Sequence, residues 1–245
     1  MLREDPNKVS EVYNHWHDRR EAADDLFSDL QNPWNRFVCE NLPDLAGQVV
    51  LEIACGRGQL TSYIAAKGAC VIGADISTRA LAITRKRVSA SGLAAMFVNA
   101  DACRIPLADN SVDLLISCET IEHTPKPADA LAEYHRVLKS KGKLVLTFPS
   151  HFNLTGLYRI YLWCKGQPYN SGDEVQPIEQ PLMSSSVVAA LKKLGFRIVS
   201  REGSGHYVLM PGRRPRRIEA LDRSRVWHRM LGPFGLHFGL VAERQ

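Results

Sequence analysis

Three acids and one glycine-rich turn stand where a nucleotide could be held. The turn is Ala54-Cys55-Gly56-Arg57-Gly58, and it follows the apolar run Val49-Val50-Leu51-Glu52-Ile53. Glycines at such a strand-to-helix junction let the chain turn tightly and let a ligand touch backbone. Asp75 closes a second apolar run, a place from which a carboxylate can accept hydrogen bonds from both hydroxyls of a ribose. Asp101, in Asn99-Ala100-Asp101-Ala102, follows a third run and is placed to meet an adenine amino group. Just past a fourth run comes Cys118-Glu119-Thr120-Ile121-Glu122-His123. His123 has the titration range of a general base near neutral pH; the alternative is a histidine that hydrogen-bonds its own loop.

These residues need a frame, and the hydropathy pattern supplies one. Apolar runs at 49–53, 70–74, 96–98, 112–117 and 143–148 alternate with helical spacing at 60–67, 77–90 and 127–138. That alternation predicts βαβ units and a mostly parallel sheet. Gly142 marks a helix–turn–strand break. Further on, 184–194 reads as helix, and 196–200 and 236–242 as strands. The fold expected is one Rossmann-like, doubly wound α/β domain over 1–245 with a seven-stranded sheet. Its parts are a helical prelude (1–46), the cofactor-binding core (47–149), a lid inserted after the fifth strand (150–183) and the rest of the core (184–245). The prelude rests on amphipathic spacing from Pro6 to Leu30.

Composition sets wider limits. With 45% hydrophobic and 23% charged residues among 245, the chain can bury a sizeable core. The opening MLREDPNK is charged where a secretory signal needs apolar residues, and no run approaches a membrane span, so a cytoplasmic protein is expected. The six cysteines form no CxxC pair and read as reduced, buried thiols rather than disulfides or a zinc site.

The motif series resembles the class I S-adenosylmethionine-dependent methyltransferases. The residues that carry the resemblance are ExxCGxG from Glu52 to Gly58, GADIS from Gly73, NADACRIPLADNSVDLL from Asn99 and RVLKSKGKLVLTFPS from Arg136. The resemblance implies S-adenosyl-L-methionine as cofactor, with Glu52, Ala54, Gly56 and Gly58 around its methionine part. It implies Asp75 and Ile76 at ribose and adenine, Asp101 and Ala102 at adenine, and a backbone contact from Cys118 near the methyl. Ala54 stands where many members have Gly, which a negative φ would accommodate. The rival, a nicotinamide Rossmann enzyme, would need GxGxxG, but Gln59, Leu60 and Thr61 follow Gly58.

Two features are similar to ubiquinone-pathway small-molecule O-methyltransferases. Asn32-Pro33-Trp34-Asn35-Arg36 resembles their Asn-Pro-x-Arg segment, with Arg36 displaced by one residue, and implies a contact from Arg36 to the cofactor carboxylate; an arginine that snorkels from the prelude helix is the alternative. Glu119-x-x-Glu122-His123 is spaced as in those enzymes and in methyltransferases of small-RNA 3′ ends, which implies a divalent ion. No His-containing motif completes the RNA-enzyme ligand set around 179–185; an acid cluster favoured by a helix dipole is the other reading. The function expected is methyl transfer to a small or lipid-like acceptor at a hydroxyl oxygen, with His123 as base. The alternatives are an RNA methyltransferase and a non-catalytic, cofactor-binding scaffold.

The aromatic residues from Phe152 to Tyr169 could line an apolar acceptor pocket or form the core of the lid. Between 213 and 229 there are seven arginines against Glu219 and Asp222. They point to an anionic small molecule or a membrane surface, while a solvated face is the plain alternative; RNA would show a broader basic footprint.

Overall fold

The computed structural model describes residues 5–19, 30, 32–150, 178, 180–208, 216–222 and 224–245. The chain builds β1 (Val49–Ile53), β2 (Cys70–Asp75), β3 (Met96–Asn99), β4 (Val112–Cys118), β5 (Leu138–Pro149) and β6 (Phe196–Ser204). A two-stranded ribbon of β7 (Tyr207–Val208) and β8 (Arg216–Arg217) precedes the last strand, β9 (His237–Arg244). The seven-stranded sheet runs β3-β2-β1-β4-β5-β9-β6. Neighbours from β3 to β5 pair in parallel, and β9 is antiparallel to both its neighbours.

Residue alternation along the central strands divides the core in two. Leu51, Ile53, Leu115, Leu144, Leu146 and Phe148 meet Ala130, Leu131 and Tyr134 of α5 (Pro127–Val137) and Val187 and Leu191 of α6 (Ser184–Lys193). On the other face Val50, Leu114, Ile116 and Val145 pack with Phe37 and Val38 of α2 (Pro33–Asn41) and Leu60 and Ile64 of α3 (Gln59–Ala66). Strands buried on both faces must be apolar at consecutive positions, which is why these runs stand out in the sequence.

Caps set the helix starts. Ser77 Oγ accepts from Ala80 N–H at 3.0 Å and opens α4 (Thr78–Ala90). Asn32 does the same for α2, accepting from Asn35 N–H at 2.8 Å, with Pro33 at the first helical position. α2 then lays Phe37 over Gly239 of β9, where any Cβ would come within 2.5 Å of the ring. α1 (Pro6–Arg19) reaches the start of α4: Asn14 Oδ1 accepts from Ser77 Oγ at 2.8 Å and Arg79 N–H at 3.1 Å.

The doubly wound, seven-stranded α/β fold is as expected, with β9 making the sheet mixed. The break at Gly142 takes the form of a bulge. Register jumps from Val112↔Leu138 to Leu114↔Lys143, and Lys141 adopts φ +62°. β6 continues to Ser204, beyond the strand expected. Most of the expected lid, 151–177 and 179, lies outside the described residues, as do Arg213, Arg214 and Arg223. Among the described residues no helix is long and apolar enough to cross a membrane.

Candidate active site

Strand order reverses at β1: the chain fills β2 and β3 on one side and returns to place β4 on the other. The crevice outside the carboxyl ends of β1 and β4 is where open α/β sheets hold ligands. One wall is the turn 54–58 after β1; the other is the segment 119–125 after β4.

The turn depends on left-handed backbone. Ala54, Gly56 and Gly58 adopt φ +55°, +53° and +79°. Gly56 N–H donates to Asp75 Oδ2 at 2.9 Å, and Thr84 Oγ1 donates to Gly56 O at 2.6 Å. A Cβ on Gly58 would sit 2.5 Å from Thr84 Cγ2 and 3.1 Å from Thr84 Cα, so α4 leaves room for glycine alone. Ala54 corrects the sequence reading. Its φ is positive rather than negative, which for a residue with a Cβ costs roughly 1–2 kcal/mol. Across the crevice Glu119 is also left-handed, at φ +48°. Strain of this kind persists where surrounding structure imposes it, often at ligand sites.

Two of the three acids are buried. Glu52 lies beneath α3, where Thr61 Oγ1 donates to its Oε2 at 2.5 Å. Burial pushes its carboxyl up to about 8, with the Asp75 charge adding to the effect. Burial likewise pushes Asp75 up to about 6, opposed by hydrogen bonds from the N–H groups of Ser77 and Gly56. Asp101 is half-buried and accepts from Cys103 N–H at 2.9 Å, beside buried Ala102. Ile76 O accepts from Ser10 Oγ at 2.7 Å and from Asn99 Nδ2 at 2.9 Å. α1 therefore lies along the end of β2.

These residues fit the cofactor that the sequence implies. α3 begins at Gly58 with no side-chain cap, and the Gln59 Nε2 amide is buried there without a hydrogen-bond partner. Open N–H groups and an unpaired amide at a helix start suit a carboxylate. The buried carboxyls of Glu52 and Asp75 suit, respectively, an ammonium group and ribose hydroxyls.

The far wall holds Cys118 and His123. The Cys118 thiol is buried, which raises its pKa well above the usual value. Its Sγ lies 3.4 Å from Asn35 Oδ1 and from Thr147 Oγ1, and its carbonyl accepts from Thr120 Oγ1 at 3.1 Å. His123 Nδ1 is 2.7 Å from Ile178 O, so the loop hydrogen bond foreseen as the alternative is present. That contact assigns the proton to Nδ1 and leaves Nε2 as the basic nitrogen, 3.5 Å from Glu122 Oε1.

The structure does not bring two expected groups together. Arg36 is largely exposed and pairs with Glu40 at 2.7 Å, while its neighbour Asn35 is buried against Cys118. Glu119 points to His237 of β9, Oε2 to Nδ1 at 3.7 Å, whereas Glu122 lies with His123. Among the described residues no three His, Cys, Asp or Glu side chains are grouped to hold a metal ion. His237 escaped the sequence reading because the pairing of β9 with β5 brings it opposite Pro149, close to Glu119. It also lines a groove of about 200 Å³ with Trp34, Thr147, Glu202 and Arg217.

Residues 51–146 match the methyltransferase domain family. The chain is 34% identical over 163 residues to the ubiquinone/menaquinone biosynthesis C-methyltransferase UbiE of Azotobacter vinelandii, covering 63% of this chain and 64% of that protein. It is 33% identical over 137 residues to the methyltransferase GfsG of Streptomyces halstedii, covering 55% of this chain and 49% of that protein. The aligned region thus spans about half of the length of one relative and under two-thirds of the other. A solved S-adenosylmethionine-dependent methyltransferase from Mesorhizobium loti superposes with a TM-score of 0.60 at 18% identity, over 86% of this chain and 97% of that one. Segment 51–146 is a methyltransferase domain, set in the class I S-adenosylmethionine-dependent methyltransferase fold. The cofactor of that class is S-adenosyl-L-methionine, as the motif series implied.

Proposed function

We propose that this chain is a methyltransferase acting on a small, apolar, hydroxyl-bearing acceptor of quinone-like type, at the hydroxyl oxygen. The observation that carries the reading is the crevice itself: the left-handed turn 54–58 and buried Glu52 and Asp75 stand opposite the His123 segment. S-adenosylmethionine supplies a methyl group on positively charged sulfur. The chain's own residues must align the acceptor with it and remove the hydroxyl proton. His123 is the base of this reading. Its Nδ1–H, held by Ile178 O, fixes the ring, and the Glu122 carboxyl near Nε2 favours the imidazolium formed on proton uptake. In the proposed cofactor set Glu52, Ala54, Gly56 and Gly58 take the methionine part. Asp75 and Ile76 take the ribose and adenine, and Asp101 and Ala102 the adenine.

Methylation at a ring carbon is the second reading, favoured by the relative named a C-methyltransferase. A deprotonated phenol is nucleophilic at oxygen and at adjacent ring carbons, so both readings need the same base. Labelled methyl from S-adenosylmethionine, offered with a series of hydroxyquinols and traced by NMR, distinguishes them. With an acceptor in hand, His123→Ala should lower kcat by about two orders of magnitude and leave cofactor affinity unchanged. Near-normal turnover would reduce His123 to a loop residue.

A further inference from the structure

The arginine-rich segment carries charge that the rest of the chain lacks. Its seven arginines against two acids give +5, which equals the formal charge of all 245 residues, so the remainder balances to zero. The described part of this segment is built on the carboxyl end of β6. α7 (Glu219–Asp222) and α8 (Arg225–Met230) follow the β7–β8 ribbon, and a 3-10 turn over Gly232–Phe234 leads into β9. That turn lies so close to β6 that a Cβ on Gly203 would come within 2.1 Å of Gly232 O. The element is seated, yet it turns large apolar side chains outward. Val226 is 63% exposed, Trp227 41%, Met230 64% and Phe234 52%. Positions 226, 227 and 230 share one side of the helix, by their spacing of three and four residues. Arg216 and Arg217 of β8 are exposed, Arg217 shares a groove with His228 of α8, and Arg229 is largely exposed although it reaches Glu202 at 3.2 Å.

We propose that the α8 face, with its following turn, docks on an anionic phospholipid surface. Apolar side chains that enter the headgroup boundary, bordered by arginines that meet lipid phosphates, are what an interfacial helix requires. A second copy of the same patch would set like charges against each other across a two-fold axis. RNA would use the arginines and stack bases on Trp227 and Phe234, but it would leave Val226 and Met230, the two most exposed of the four, without a role. Arg217 and His228 also line the groove that contains His237 and Thr147, so docking places the groove's mouth at the bilayer. The docking surface stands without the methyl-transfer reading; only the groove's use for an apolar acceptor rests on it.

The test is co-sedimentation of the full chain with vesicles of phosphatidylcholine alone and of phosphatidylcholine mixed with phosphatidylglycerol. Binding is expected to the mixed vesicles only and to weaken as salt rises. Val226→Ser with Met230→Ser, and separately Arg216→Glu, should each reduce it by roughly tenfold or more. Both variants should keep the wild-type melting midpoint and its shift with S-adenosylhomocysteine, which shows that they fold. No binding to anionic vesicles overturns the proposal, as does binding that both variants leave unchanged. A dimer, or RNA binding, that the same substitutions abolish in place of vesicle binding overturns it as well. A wild-type chain that does not bind anionic vesicles yet keeps its S-adenosylhomocysteine shift sinks the docking surface alone; a wild-type chain that binds vesicles but shows no such shift sinks the methyl-transfer reading alone.

Discussion

Asp75→Ala should weaken S-adenosylhomocysteine binding by about two orders of magnitude. Two charge-assisted hydrogen bonds from ribose hydroxyls to one carboxylate contribute roughly 3 kcal/mol together, about a hundredfold in affinity. Asp75 also holds the turn, through Gly56 N–H, and the start of α4, through Ser77 N–H. The loss therefore extends beyond the two ribose contacts. Because burial raises the Asp75 carboxyl to about 6, affinity has a pH signature. The ionised form accepts the hydroxyls, so the Asp75 contribution is constant well above pH 6 and is lost as the group protonates below it. Glu52, raised to about 8, adds a separate fall nearer pH 8 that Asp75→Asn retains. Titration calorimetry from pH 8 to pH 5 should show the fall below pH 6 in the wild-type chain and a flatter profile there in Asp75→Asn. Unchanged affinity in Asp75→Ala would put the ribose elsewhere.

The second large effect is on stability. Gly58→Ala should cost the fold about 2 to 4 kcal/mol, from a left-handed residue gaining a Cβ and from overlap with Thr84. For a chain of this size that lowers the melting midpoint by roughly 5 to 15 °C. Thr84→Ser in the same chain removes the methyl nearest the new Cβ and keeps the hydroxyl that bonds Gly56 O. The double variant should recover about half of the loss, with the backbone strain remaining. Equal melting points for Gly58→Ala and the wild type would contradict the turn described.

The elements with strong local signals were legible before the fold. β1 to β4 are continuous apolar runs, α4 and α5 are amphipathic periods opened by a serine cap and a proline, α3 follows the glycine turn, and their bounds fall within a residue or so of those expected. α2 lies inside the expected helical prelude, and Asn32-Pro33 is the helix-start signal that marks where it begins. The resemblance implies an inward Arg36, whereas the helix carries it outward to Glu40. On a helix one residue is about 100° of rotation, so displacing Arg by one position turns it to the surface and puts Asn35 against Cys118. The Glu119–His237 approach depends on an antiparallel strand returning across the sheet, which no local pattern encodes. The sign of φ at Ala54 was likewise set by the packing of the turn against β2 and α4. The three acids, by contrast, were placed by the ends of their strands.

The most direct measurement is the melting midpoint with S-adenosylhomocysteine and, separately, with NAD. Ligand at about 100 times its dissociation constant stabilises the fold by roughly 2.7 kcal/mol, a rise of roughly 5 to 11 °C for a chain of this size. The account predicts that rise with S-adenosylhomocysteine and none with NAD. A rise with NAD alone, or with neither, would mean that the Glu52–Gly58 turn serves another ligand, and would contradict the assignment of the crevice.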